Sequence, residues 1–250
     1  MSGFCGAKEV VVRNAELTED ELKLFDLRLF QPRQGYRYSL DALLLARFCL
    51  VLKPGGNIVD LGAGCGVIGL VLARVNPDAS VVAVEKNPVM AGIVERNIIH
   101  NDFAGRVSVQ AEDILHLRKT YSDSSFDLVV SNPPFRTAGS GRVSPRAGRD
   151  AARHETTAGL ADFLAAAKYL VKPSGRICLI QLPSRLAELM ALAAGLKLSV
   201  LRLRTIHNNA EAPASMFMVE LAKGRRSAPV VEKPLFVRDM QGEYTDEVWR

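Results

Sequence analysis

Short apolar segments alternate with segments of helical periodicity along most of the chain. Continuous apolar runs bounded by turn residues are typical of strands covered on both faces, and apolar residues three and four positions apart are typical of helices. The predicted strands are residues 58–61, 81–85, 107–111, 126–131, 176–181, 198–204 and 215–222, and the predicted helices are 40–52, 67–75, 88–100, 160–170 and 184–194. The last two strands have no helix between them. The pattern predicts an α/β fold: a doubly wound, mostly parallel seven-stranded sheet with an antiparallel C-terminal strand pair.

The N-terminal segment follows a different pattern. Thr18 and Glu21 have the spacing of a capping box, which predicts a short helix. The segment 27–40 predicts a hairpin that turns near Pro32 and Gly35. We therefore expect residues 1–55 to form a helix and hairpin extension packed on the core, and residues 56–250 to form the core domain.

Composition narrows the class of protein. Of the 250 residues, 48% are hydrophobic, which is ample for a core without a disulfide or a metal. The four cysteines (Cys5, Cys49, Cys65 and Cys178) are far apart and show no ligand spacing, so no metal site is expected. The longest apolar stretch, residues 42–52, is too short to span a bilayer, and no signal peptide is visible, which predicts a cytoplasmic protein without a membrane partner. A net charge of +5 is compatible with a polyanionic partner or with a generally basic surface.

The most informative motif is the tetrad from Asn132 to Phe135, which follows the predicted strand 126–131. Pro133 and Pro134 lack backbone donors, end the strand and hold Asn132 extended. Open α/β sheets bind ligands at the carboxyl ends of their strands. The Asn132 side-chain oxygen and the Pro133 carbonyl, which has no competing ladder partner, are two acceptors for the N–H bonds of a planar amine, and Phe135 is a stacking surface for it. Asn-Pro also begins ordinary turns, which is the alternative interpretation.

A glycine-rich loop follows the first strand of the core and predicts a nucleotide-containing cofactor. Gly62, Gly64 and Gly66 let the backbone approach a ligand closely, and Glu85 at the end of the next strand is placed to accept from ribose hydroxyls. The segment 64–69 also satisfies the dinucleotide pattern, so the glycines alone do not distinguish a nicotinamide cofactor from S-adenosylmethionine.

Two acidic positions favour S-adenosylmethionine. Asp60 precedes the loop and could hold the amino group of the methionine half, whereas a pyrophosphate would be repelled by a carboxylate. Glu112 and Asp113 follow the third core strand and suit an adenine exocyclic amine. Each acid could instead be a solvated strand-end carboxylate. With this cofactor, the strand pattern favours a class I methyltransferase sheet, and the reaction expected at Asn132 is methyl transfer to an amine.

The chain resembles a known family at these and further motifs. Asn132–Phe135 is similar to the N-P-P-[YF] motif of class I amino-methyltransferases. The segments Q-P-R-Q-G-Y-R-Y-S-L-D (31–41), A-R-H-E (152–155) and G-E-Y-T (242–245) are similar to motifs of the bacterial tRNA (adenine-N6)-methyltransferases that act beside the anticodon of a valine tRNA. The resemblance extends from about residue 16 over nearly the whole chain. It implies S-adenosylmethionine-dependent N6-methylation of an adenine in a tRNA anticodon loop, with Asn132, Pro133 and Phe135 as catalytic residues.

Three other functions remain open from the sequence. A glutamine side chain of a protein such as a release factor has a primary amide that fits the same tetrad. A ribosomal RNA base bearing an amine fits it as well. A module that binds RNA without catalysis is the alternative from another class.

Basic segments are candidates for RNA contact. Five arginines follow the tetrad in the glycine-rich segment 136–153, and His154 lies, by the resemblance, near the active site. Arg28, Arg33 and Arg37 accompany the aromatic residues of the segment 27–40. A solvated loop is the alternative for the first group, and a hairpin core is the alternative for half of the aromatic residues in the second.

Overall fold

The fold is built on one twisted sheet flanked by helices. The computed structural model describes residues 16–35, 37–52, 56–135, 158–224 and 228–249. The strands are β1 (Leu17–Leu22), β2 (Leu27–Pro32), β3 (Asn57–Leu61), β4 (Ser80–Val84), β5 (Val107–Gln110), β6 (Phe126–Ser131), β7 (Val171–Gln181), β8 (Leu198–His207), β9 (Ala214–Lys223), β10 (Val230–Val231) and β11 (Leu235–Phe236). The helices are α1 (Leu40–Leu50), α2 (Val67–Val75), α3 (Pro88–His100), α4 (Leu160–Leu170), α5 (Leu186–Gly195) and α6 (Asp246–Trp249).

The strand order confirms the predicted fold class. Seven long strands lie in the order β5-β4-β3-β6-β7-β9-β8, and β10 and β11 add two-residue pairings along β8. All neighbours from β5 to β7 are parallel, whereas β9 pairs antiparallel with both β7 and β8. After β3 the chain adds β4 and β5 on one side of β3, and it then returns to add β6 on the other side. Such a switch in strand order opens a crevice at the carboxyl ends of the strands.

Alternation within the strands divides the core into two layers. Ile58 contributes to the layer that contains α1, α2 and α3, and its neighbour Val59 contributes to the layer that contains α4 and α5. Leu128 and Val129 divide in the same way on β6. Because successive side chains of a strand point to opposite faces, a sheet covered on both faces needs apolar residues at nearly every position.

The N-terminal segment differs from the prediction. Thr18 and Glu21 lie in strand β1, so the helix predicted from their spacing is wrong. β1 pairs antiparallel with β2 from Leu17↔Pro32 to Leu22↔Leu27, and the chain turns through residues 23–26 rather than at the position predicted from the sequence. A capping box is a short local signature, and the long-range pairing with β2 overrides it.

Two amide side chains attach this hairpin to the core. Asn97 on α3 and Asn101, which caps the C-terminus of α3, each form a closed pair of hydrogen bonds with a residue of β2, at Phe30 and Arg28 respectively. The four distances are 2.7 to 2.9 Å. The same Asn97 Nδ2 also donates to the Cys65 carbonyl in the glycine-rich loop at 2.9 Å. Asn97 therefore connects the hairpin to the loop that follows β3.

Helix α1 belongs to the same core layer as α2 and α3, and its Leu44 and Leu45 are buried there. The division of the chain near residue 55 stays a prediction. No helix in the described ranges is long and apolar enough to cross a membrane.

Candidate active site

A cavity of about 310 Å³ opens at the carboxyl ends of β3, β4, β5 and β6. Its wall brings together five residues that the sequence marked from separate motifs. These residues are Gly62, Gly64, Glu85, Asp113 and Asn132. They come from four different strand ends, and the parallel register of the sheet places them at one edge.

The glycine-rich loop forms one side of the cavity with backbone atoms. Gly62, Gly64 and Gly66 all have positive φ angles, of 73°, 59° and 85°. At Gly62 a side chain would also be crowded, because its Cβ would lie 3.3 Å from the ring of Phe163. Gly66 ends the loop as the N-cap of α2 and is not part of the cavity wall.

Glu85 links this loop to the next helix. Its Oε2 accepts from the Gly64 N–H and its Oε1 accepts from the Asn87 N–H, both at 2.8 Å. Asn87 in turn caps α3 by accepting from the N–H groups of Val89 and Met90. A carboxylate has about four acceptor sites, so Glu85 retains acceptor capacity toward the cavity.

Asp113 lines the same cavity and carries a paired charge. Its Oδ1 accepts from the Leu115 N–H at 3.0 Å, and its Oδ2 forms an ion pair with Lys86 at 2.9 Å. Partial burial would raise the pKa of Asp113, but the Leu115 N–H and the Lys86 ammonium outweigh it and hold the pKa below its ordinary value. Asp113 is therefore an ionised acceptor at neutral pH.

Asp60 is fully buried and is not among the residues that line the cavity. Its predicted contact with the amino group of the cofactor stays a prediction. Asp60 shares its side of β3 with Ile58, which faces α2, and its Oδ2 accepts from the Gly69 N–H of that helix at 3.2 Å. The other oxygen has no hydrogen-bond partner within the described ranges. Burial is the main cause that raises the pKa of Asp60 to about 7, opposed by the Gly69 N–H and reinforced by the charge of Glu85.

The tetrad continues from β6 to the edge of the cavity. Asn132 lines the cavity, and its Oδ1 is shielded from solvent without a hydrogen-bond partner among the residues that the structure describes. The Pro133 carbonyl accepts a hydrogen bond from a side chain rather than from a ladder partner, namely from the Gln181 Nε2 at 3.2 Å. A carbonyl oxygen has two lone pairs, so one remains for a ligand.

Phe135 and Phe163 differ in their position relative to the cavity. Phe135 is half-buried against the core layer of α1, α2 and α3 and does not line the cavity, so its predicted stacking role stays a prediction. Phe163 from α4 does line the cavity. In the sequence, Phe163 has the helical spacing of an ordinary core residue. Its close approach to Gly62, which marks it as part of the site, is visible in the structure.

The candidate RNA-contact residues lie partly outside the described chain. The segment 136–153 and His154 are outside the described residues. Arg37, which is exposed, forms an ion pair with Asp20 of β1 at 3.1 Å and also donates to the Pro32 carbonyl. The Arg37 guanidinium therefore joins the segment after β2 to β1 and β2, and its contact with RNA stays a prediction.

The cavity fits the S-adenosylmethionine expected from the sequence. Backbone at Gly62 and Gly64 leaves room for a ligand to approach, and the carboxylates of Glu85 and Asp113 are acceptors for ribose hydroxyls and for an exocyclic amine. Asn132 lines the same cavity, and its buried Oδ1 has no donor among the residues that the structure describes.

Comparison with known proteins places the chain in a family. Residues 41–184 match the family model described as "Methyltransferase small domain". A tRNA1(Val) (adenine(37)-N6)-methyltransferase of Porphyromonas gingivalis is 36% identical over 190 residues, which are 74% of this chain and 72% of that protein. A protein of the same name from Aeromonas hydrophila is 27% identical over 215 residues, 86% of this chain and 87% of the relative.

A solved structure supports the same fold. The crystal structure of a predicted O-methyltransferase from Agrobacterium tumefaciens is similar with a TM-score of 0.67 and 25% identity, over 83% of this chain and 94% of that one. The chain therefore belongs to the methyltransferase small domain family and, within it, to the family of the tRNA1(Val) (adenine(37)-N6)-methyltransferases.

Proposed function

We propose that this protein transfers a methyl group from S-adenosylmethionine to the N6 atom of an unpaired adenine in tRNA, in the anticodon loop. The observation that carries the proposal is the buried, unpartnered Oδ1 of Asn132 in the wall of the cavity that the glycine-rich loop and Glu85 also line. A buried acceptor without a donor costs free energy, on the order of 1–3 kcal/mol, and an amine N–H from a substrate removes that cost.

The residues of the site have separable roles in this proposal. Glu85 and Asp113 bind the ribose and adenine of the cofactor, and the backbone at Gly62 and Gly64 allows its close approach. The bound cofactor supplies an electrophilic methyl group on a sulfonium. Asn132 Oδ1 and the Pro133 carbonyl accept the two N–H bonds of the target amine, so that its nitrogen lone pair points at the methyl group.

Positioning and fixed dipoles are expected to account for most of the rate acceleration. An exocyclic amine is a poor nucleophile because its lone pair is delocalised into the ring. Two acceptors fixed at the amine favour a pyramidal nitrogen and hold it near the in-line geometry. No strong base is placed at the nitrogen by the described residues, and proton loss follows methyl transfer.

The substrate class is supported by the relatives and by the chemistry of the tetrad. Two acceptors select a group bearing –NH₂, which includes adenine, cytosine, guanine and primary amides. The relatives that match over most of this chain are named as tRNA adenine-N6 enzymes. An unpaired base in a loop reaches a strand-end pocket at lower cost than a base in a duplex.

The test uses unmodified tRNA transcripts, labelled cofactor and mass spectrometry of the digested nucleosides. We expect N6-methyladenosine in a tRNA that carries an adenine beside its anticodon, and none when that adenine is replaced. Methylated glutamine in a release factor, or a methylated base in ribosomal RNA with none in tRNA, would overturn the proposal.

Asn132→Ala should lower turnover by at least about 100-fold, as for one preorganised polar group in other enzymes, with cofactor affinity nearly unchanged. Asn57→Ala is the matched control, because Asn57 lies at the opposite end of the neighbouring strand β3. It should leave turnover unchanged. Equal losses in turnover and cofactor affinity for Asn132→Ala would assign it to the cofactor or to the fold.

A further inference from the structure

A buried glutamine stands beside the tetrad. Gln181 is the last residue of β7 and is fully buried. Its Nε2 donates to the Pro133 carbonyl at 3.2 Å, and its Oε1 accepts from the Leu182 N–H at 3.4 Å. Both neighbours require the same orientation of the amide, since a carbonyl needs a donor and an N–H needs an acceptor.

This amide lies where the main-chain ladder between β6 and β7 has ended. The last ladder pair joins Ser131 to Leu179, and the same spacing two residues further places Pro133 opposite Gln181. The two prolines of the tetrad have no N–H with which to continue the ladder. The Gln181 side chain therefore connects the two strands at a point where their backbones alone do not.

We propose that Gln181 is a positioning residue that fixes the direction of the Pro133 carbonyl and, through it, the pose of the amine that is methylated. This inference rests on the proposed function, because it takes the Pro133 carbonyl as the second acceptor of the amine. The two lone pairs of the carbonyl lie near the peptide plane. With Gln181 on one of them, the other is directed to the substrate.

The freedom that Gln181 removes is rotation about ψ of Pro133. The ring fixes φ, and the following proline already confines ψ to an extended range about 40° wide. Given a C=O length of about 1.23 Å, a swing of about 25° in ψ moves the oxygen by about 0.5 Å. Productive sites hold their groups within about 0.5 Å, and a 1 Å error costs roughly 100-fold in rate. Loss of the Gln181 donor should therefore lower kcat about 10-fold.

The hydrogen bond can be observed without any activity measurement. Pro133 and Pro134 form the one Pro-Pro pair in the sequence. Proline labelled with ¹³C at the carbonyl and with ¹⁵N therefore gives a single carbonyl–nitrogen peak in a ¹³C-detected spectrum of the full chain. Gln181→Leu should move the carbonyl shift of this peak upfield, whereas Gln110→Leu, at the carboxyl end of β5, should not. An unmoved peak in Gln181→Leu would overturn the inference.

Kinetics then separate a positioning role from a structural one. Gln181→Leu should lower kcat, with KM for tRNA and the Kd of S-adenosylhomocysteine changed by no more than about two-fold. Gln181→Glu places a carboxyl group in the buried site, where its protonated form donates to the carbonyl and its ionised form repels it. The ratio of the turnover of this variant to that of the native protein should approach one at low pH and fall as the pH rises. Thermal melting at each pH confirms that the variant is folded.

The two proposals fail in different ways. A shifted peak with unchanged kcat in Gln181→Leu, or a flat relative pH profile in Gln181→Glu, would overturn the positioning role and leave the proposed function intact. Absence of N6-methyladenosine from tRNA treated with the native protein would overturn the proposed function instead.

Discussion

Replacing Asp60 with asparagine is expected to stabilise the protein more at pH 8 than at pH 5. The side chain is fully buried, and its pKa in the folded protein is raised from 3.8 to about 7, mainly by burial. Between these two values the unfolded chain releases the proton while the folded chain keeps it. The folded state then binds more protons, so the free energy of unfolding decreases as pH rises through this window. Above the pKa of the folded state, the decrease in the free energy of unfolding is complete. Below pH 3.8 there is no decrease.

The magnitude follows from the width of the window. Each pKa unit corresponds to about 1.4 kcal/mol, so the loss at pH 8 is on the order of 4 kcal/mol, and roughly 3 kcal/mol of it develops between pH 5 and pH 7. In Asp60→Asn the new carbonyl oxygen still accepts from the Gly69 N–H, and an amide group replaces the unpartnered oxygen. An unpaired amide costs about 1–3 kcal/mol, but equally at every pH.

The measurement is urea unfolding of the ligand-free protein at pH 5 and pH 8, followed by circular dichroism. The free energy of unfolding of Asp60→Asn minus that of the native protein should increase by about 3 kcal/mol from pH 5 to pH 8. Asp78→Asn, at an exposed position, is the matched control and should show the same difference at both pH values. A difference for Asp60→Asn that does not change with pH would refute the reasoning.

Three further predictions concern the cofactor cavity and its supports. Glu85→Ala should weaken S-adenosylhomocysteine binding by about 1–3 kcal/mol in calorimetry without added metal, through lost charged hydrogen bonds; unchanged affinity would remove Glu85 from the site. Phe163→Ala should lower the same affinity and destabilise the fold by about 3–5 kcal/mol, as other buried Phe truncations do, and a loss of stability alone would make the residue purely structural. Asn97→Leu should lower both the hydrogen-exchange protection of the hairpin and the affinity for the cofactor, whereas Asn101→Leu should lower the protection of the hairpin alone. Identical effects of the two variants would argue against a link between the hairpin and the glycine-rich loop.

Much of the core fold was predictable because its signals are local and repeated. The bounds of α2, α3, α4 and β6 agree with the prediction, since each joins a clear periodicity to a strong end signal. Asn87 followed by proline at the start of α3 is one such signal. Strand β1 was not predictable in this way, because its sequence LTEDEL is rich in acidic residues that are uncommon in strands. Only its pairing with β2 gives it extended structure.

The candidate site was predictable where a motif ends a strand. Glu85, Asp113 and Asn132 each follow a strand of the parallel sheet, so their convergence on one edge follows from the topology. Asp60 lies inside its strand, and alternation turns it toward α2, which spacing from the glycines does not reveal. In the sequence, Gln181 is a residue at the end of an otherwise apolar strand, and nothing marks it. Its role depends on the register between β6 and β7, which the sequence does not reveal.

The attachment of the hairpin has a consequence for how the hairpin sequence can change. Asn97 and Asn101 bind only main-chain atoms of β2, so they accept any non-proline residue at the two positions they contact. A slip of β2 by two residues would present equivalent groups to the same amides. The register must then be set by other side chains, and the fully buried Leu27 and Leu29 are suited to this, because a slip would move one of them out of its place in the core. The exposed position of Arg28 is thus free to diversify, whereas the two leucines of β2 are not.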